Sequence, residues 1–76
     1  MYITREAYER TPLLIKQGAL SLWGLFLDKW TENGCVHLLY RLNDFYVDMC
    51  FDEKTGHLTY ITTFTSLPRL APHLTQ

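Results

Sequence analysis

The second half of the chain alternates between apolar and polar residues so regularly that it predicts paired β-strands with a definite register. The stretches 45–52 and 57–64 flank Asp52-Glu53-Lys54-Thr55-Gly56, a turn sequence with glycine at the left-handed position, and read together as a β-hairpin. A second hairpin precedes it. If Asn43-Asp44 is a two-residue turn, Leu42 pairs with Phe45, Tyr40 with Val47, Leu38 with Met49 and Val36 with Phe51, all of them apolar. Carrying that register through a four-residue loop at 53–56 pairs Phe51 with Leu58, Met49 with Tyr60, Val47 with Thr62 and Phe45 with Phe64. Two independently chosen turns therefore agree on one apolar face, and a slip of one residue would invert it.

The first half is less regular. Thr4 is placed to cap a short helix over residues 5–10, with Glu6 and Glu9 at its positive end. Thr11-Pro12 restarts the helical pattern, and Gly18 frames residues 13–17 as a second short piece or a kinked continuation. Residues 20–30 are apolar on both parities, as in a strand covered on both sides. A buried helix gives the same pattern over so short a run. The turn-like Thr31-Glu32-Asn33-Gly34 and the alternation from Cys35 to Leu42 that follow it favour the strand. Thr65-Ser66 is placed to cap a terminal helical turn through Leu70 that Pro72 ends. The expected fold is α+β: a short N-terminal helix, a four-stranded antiparallel meander and a short C-terminal helical turn, in a single domain spanning residues 1–76.

Composition agrees with a small folded domain. The chain is 47% hydrophobic and 20% charged, too apolar for a disordered segment, and 76 residues support one core of marginal stability. Its net charge is −1 and its seven Lys and Arg residues are scattered, which argues against nucleic-acid binding. The N-terminus lacks the apolar core of a signal peptide, and the apolar run from Ala19 to Leu27 is about half of what spans a bilayer. Two cysteines in predicted strands do not make a disulfide framework, so a reducing cytoplasm is the expected setting.

With this register the second face holds Cys35, His37, Leu39 and Arg41, then Tyr46, Asp48, Cys50 and Asp52, then His57, Thr59, Ile61 and Thr63. Five potential metal ligands, Cys35, His37, Cys50, Asp52 and His57, share one end of that face, close enough in principle for a tetrahedral zinc site. Their spacing matches no Cys-x-x-Cys knuckle, Asp52 starts a turn, and isolated strand cysteines commonly serve as small hydrophobes. Cys50 with His37 has the composition of a nucleophile and base but lies on a flat ladder, and no catalytic residue or cofactor site is predicted. Asp48 reads as a surface partner of Arg41 and Tyr46. Trp23, Phe26, Trp30 and Tyr46 are candidates for an interface, because a first strand apolar on both faces leaves surface that short helices do not cover.

The segment Leu39-Tyr40-Arg41-Leu42-Asn43-Asp44-Phe45-Tyr46-Val47-Asp48-Met49-Cys50-Phe51, followed by Ile61-Thr62-Thr63-Phe64 and a late Leu70-x-x-x-Leu74, resembles a family of small uncharacterised bacterial proteins. Their hairpin runs roughly Leu-Tyr-x-Leu-x-x-Phe-Tyr-Val-Glu-Val-x-Tyr, with Asp48 here in place of the glutamate and Met49 in place of the second valine. The resemblance spans residues 18–74 and implies the fold but no activity, and Cys35, His37 and Cys50 are not in its pattern. The functional expectation is a non-catalytic interaction module that forms a homodimer or docks on a protein partner through an apolar sheet face or edge. The alternative is a small-ligand or metal binder built on the Cys/His/Asp cluster.

Overall fold

The computed structural model describes residues 2–66, and their order is helix, helix, then four strands: α1 (Arg5–Glu9), α2 (Leu13–Trp23), β1 (Leu25–Glu32), β2 (Cys35–Leu42), β3 (Phe45–Asp52) and β4 (Leu58–Phe64). The strands form one antiparallel sheet in the order β1-β2-β3-β4, so the α+β meander is as expected. The helical turn expected through Leu70 lies outside the described residues.

Each turn has a local chemical cause. Asn33 and Gly34 take φ of 53° and 79° between Glu32 and Cys35, the left-handed pair that closes a tight hairpin. Asn43 takes φ of 55° between Leu42 and Phe45. At the β3–β4 turn the Asp52 carboxylate accepts the amides of Lys54 and Thr55 at 2.8 and 2.9 Å, while Gly56 turns the chain at φ 77°. Those backbone amides hold the Asp52 carboxyl below its usual range.

The β2–β3 register is the predicted one, residue for residue, from Val36–Phe51 to Leu42–Phe45. The β3–β4 register is not. Phe51 pairs with Leu58 as expected, but Cys50 then pairs with Tyr60, so Thr59 is a bulged residue and everything beyond it changes face. Ile61 and the buried Thr63 point to the helical side, and Tyr60, Thr62 and Phe64 to the other, the reverse of the expected assignment. A second irregularity at Leu27, between the pairs Phe26–Tyr40 and Asp28–Leu39, does the same in β1. It explains why that segment is apolar on both parities.

Two boundaries also move. The run 20–30 is not one strand: residues 20–23 complete α2, and β1 begins after Gly24. Gly18 does not end the second helix, which continues five residues beyond it. The break comes at Gly24 for a steric reason. A Cβ there would lie 2.7 Å from the Leu20 carbonyl oxygen and 3.1 Å from both Leu20 Cα and the Tyr40 ring. Only glycine lets α2 end so close to the sheet, with the Gly24 amide donating to Leu20 O at 2.9 Å.

The core lies between helices and sheet. Tyr8, Ala19 and Leu20 pack on Leu42, Phe45, Val47 and Met49, with Leu38, Tyr40, Phe51 and Ile61 at its margin. Tyr8 is fully buried, its ring 5.6 Å from that of Phe45, and its hydroxyl donates to the Lys16 carbonyl at 3.0 Å. Burial pushes the Tyr8 phenol far above its usual value, so this donor is permanent. Thr4 caps α1 through the Ala7 amide, as expected. Arg5 then donates to the side chain and carbonyl of Thr63, and Thr63 donates to Glu9, which fastens α1 to β4. Ile3 and Tyr2 tie the N-terminus to the β2–β3 turn through Asn43 and Asp44.

Candidate functional site

Two surfaces combine enough chemistry to be considered. The first is the sheet face turned away from the helices. His37 Nδ1 donates to the Asp48 carboxylate at 3.1 and 3.2 Å, and the Trp30 indole stacks on the His37 ring at 5.0 Å with a 6° interplanar angle. Both members of the pair are largely covered, with 12% and 13% of their side chains exposed. Asp48 is therefore a half-buried partner of His37, not a surface partner of Arg41. Burial, opposed by the His37 hydrogen bond, holds its carboxyl above the usual range.

Beside this pair Cys50 lies directly across from Tyr60 on β4 and diagonally across from Cys35 on β2. The Cys50 contact, with burial adding to it, holds the Cys35 thiol above its usual value and pushes Tyr60 up to about 12. At neutral pH Cys35 stays a thiol, the weak form for both nucleophilic attack and metal ligation. Cys35–Cys50 and His37–Asp48 are both diagonal neighbours stepping the same way along β2 and β3. The right-handed twist of a sheet shortens one diagonal and lengthens the other, which brings both pairs together.

The five residues considered as metal ligands do not converge. His37 is committed to Asp48, the Asp52 carboxylate to its turn, and His57 is exposed in that turn with its amide on Thr55. Among the described residues no three His, Cys, Asp or Glu side chains stand close enough to hold a metal ion. Leu39 and Cys50, on this same face, are fully buried yet stand apart from the main core.

The second surface is the outer side of α2, a helix that is apolar on its outer side as well as on its inner one. A helix laid on a sheet ordinarily turns its apolar stripe inward and its polar residues to water. Here Lys16 and Gln17 are half-buried while Leu14, Ile15 and Leu22 are 78%, 60% and 72% exposed. Only Ala19 and Leu20 of α2 are buried. Leu14, Gly18 and Leu22, four residues apart, form the middle of the outward row. They border an almost wholly apolar groove of about 470 Å³ that Ile3, Tyr8 and Trp23 also line. Phe26 continues the exposed apolar surface into β1, packed edge-on against Tyr40 at 5.6 Å.

The four aromatic residues expected at an interface thus separate. Trp23 and Phe26 are 47% and 52% exposed, whereas Trp30 and Tyr46 are half-buried on the opposite face, Tyr46 stacked on Phe64. The outward Leu14, Ile15 and Leu22 were not expected as surface. Their signal in the sequence is that Leu13-Leu14-Ile15 and Leu20-Ser21-Leu22-Trp23 place apolar side chains all around a helix, which one sheet cannot cover. Among the described residues no helix is long and apolar enough to cross a membrane.

Compared with known proteins, the chain matches no family model, no curated protein and no solved structure.

Proposed function

We propose that this chain is a small non-catalytic interaction module of the cytoplasm that binds protein through the outward face of α2 and the start of β1. The observation that carries this reading is the apolar outer side of α2, with Leu14, Ile15 and Leu22 turned to water while Lys16 and Gln17 are half-buried. Placing large apolar side chains outward gains nothing in an isolated domain, because each exposed leucine forgoes roughly 1.5–3 kcal/mol of burial free energy. Contiguous apolar surface of this kind marks sites of association. The cluster on the other face supports a structural role, since the Cys35 thiol is held protonated and His37 and Asp48 are engaged with each other.

A photo-crosslinking side chain placed at position 22, with position 54 in the exposed β3–β4 turn as control, tests this in cells expressing the whole chain. The expected result is a discrete protein adduct from position 22 and none from position 54. Equal, diffuse labelling from both positions would contradict the reading.

A further inference from the structure

We propose that the occupant of the α2 face is a second copy of this chain, the two α2 helices crossing antiparallel about a two-fold axis at Gly18. The inference rests on the interaction-module reading and specifies its partner.

The extent of the surface is the first argument. Leu14, Ile15, Leu22, Trp23 and Phe26 together expose on the order of 450–750 Å², if a large side chain presents roughly 150–250 Å². That is at or above the ~300–600 Å² of the largest apolar patch on a typical monomer and close to the ~800 Å² each partner buries in a standard interface. Gly18 and Ser21, both exposed beside these side chains, extend it.

Gly18 is the second argument. Glycine inside a helix is unfavourable, and nothing among the described residues requires it here, since a Cβ at Gly18 would meet none of them within 4 Å. The contrast with Gly24, where a Cβ would strike Leu20, is direct. A residue without a side chain at the centre of an exposed apolar helix face provides a notch where a second helix can approach closely, flanked by Leu14 and Leu22 as ridges.

Charge is the third. The only ionisable side chain on α2 is Lys16, and its ammonium lies over the Tyr8 ring 5.8 Å from the centroid, away from the Leu14–Gly18–Leu22 row. Among the described residues the face offers no charged group to select an acidic or basic partner, and a two-fold copy places no like charges of α2 against each other. An antiparallel crossing sets Leu14 and Ile15 of one copy beside Leu22 and Trp23 of the other, twice, which makes the surface self-complementary.

Sedimentation velocity of the purified chain from micromolar to millimolar concentration is the test, run on the wild type, Leu14→Glu/Leu22→Glu and Gly18→Ala, with thermal melts by circular dichroism. The wild type is expected to shift from monomer to dimer with rising concentration. The double variant, altered only at exposed positions, is expected to remain a folded monomer. Gly18→Ala is expected to raise the melting midpoint at monomeric dilution while weakening the dimer at least tenfold. A wild type that stays monomeric to millimolar concentration overturns the homodimer. A dimer of unchanged strength in both variants overturns its placement on α2. If the wild type is monomeric but position 22 still crosslinks to a different protein, the interaction reading stands and only the second copy is excluded.

Discussion

Replacing Phe45 with alanine is expected to remove about 3–5 kcal/mol of stability, a large share of what a domain of this size has. Phe45 is fully buried, begins β3 directly after the Asn43-Asp44 turn, and presses its ring on Tyr8 across the layer between helix and sheet. Truncation removes the transfer free energy of the ring and leaves a cavity that two short helices cannot collapse to fill. Domains are stable by roughly 0.05–0.15 kcal/mol per residue, so about 4–11 kcal/mol is available here. A drop of roughly 15–30 °C in the melting midpoint follows, or no folded state at all. Phe45→Leu, which keeps most of the volume, is expected to lose far less. A loss under about 1 kcal/mol for the alanine variant in urea titrations would mean that the core is not where Tyr8 and Phe45 meet.

The second large effect is expected on the other side of the sheet. Leu39 is fully buried although it points away from both helices and lies outside the main core cluster. By register it faces Asp48 on β3 and Asp28 on β1, two polar neighbours that cannot replace the packing of a leucine. Leu39→Ala is therefore expected to cost about 2–5 kcal/mol, comparable with Leu42→Ala on the helical face. Were this face an ordinary solvated surface, the same change would stay within about 0.5 kcal/mol. Paired urea titrations of the two variants decide between these outcomes. Equal losses would show that the sheet is structural on both faces and that the His37–Asp48 pair and the Cys35–Cys50 contact sit within a packed layer.

What the chain revealed in advance depended on whether a residue pattern had one physical solution. Leu42–Phe45 through Val36–Phe51 had one, because a single turn of Asn43-Asp44 makes every pair apolar and any slip exposes them all. β4 had two. Leu58 and Ile61 are apolar on one face, Tyr60 and Phe64 on the other, so both parities offer a plausible inner face and only the unpaired Thr59 decides between them. A bulge adds one residue without a sequence signature of its own, and Leu27 hid the face change in β1 in the same way.

The helices failed differently. Gly18 and Gly24 look alike as helix stops in a sequence, but a side chain at Gly18 meets none of the other described residues, whereas one at Gly24 would meet the Leu20 backbone. Reading Gly18 as the stop moved the apolar surplus of residues 20–23 from a helix to a strand. Its location on α2 became visible only with the packing. The site cluster was half legible: His37 opposite Cys50 and Cys35 opposite Asp52 follow from register, whereas the hydrogen bond that forms is the diagonal His37–Asp48 selected by sheet twist.

The central claim is that the outward side of α2 is a contact surface between two copies of the chain. Trp23 reports on it directly, being half-exposed at the edge of the groove, and the chain has only one other tryptophan. In a Trp30→Phe background, shown to be folded by circular dichroism, acrylamide quenching of Trp23 fluorescence is measured across the micromolar to millimolar range. Quenching that falls with concentration toward that of a buried indole is the predicted result. Quenching that stays at the level of an exposed indole throughout would contradict it.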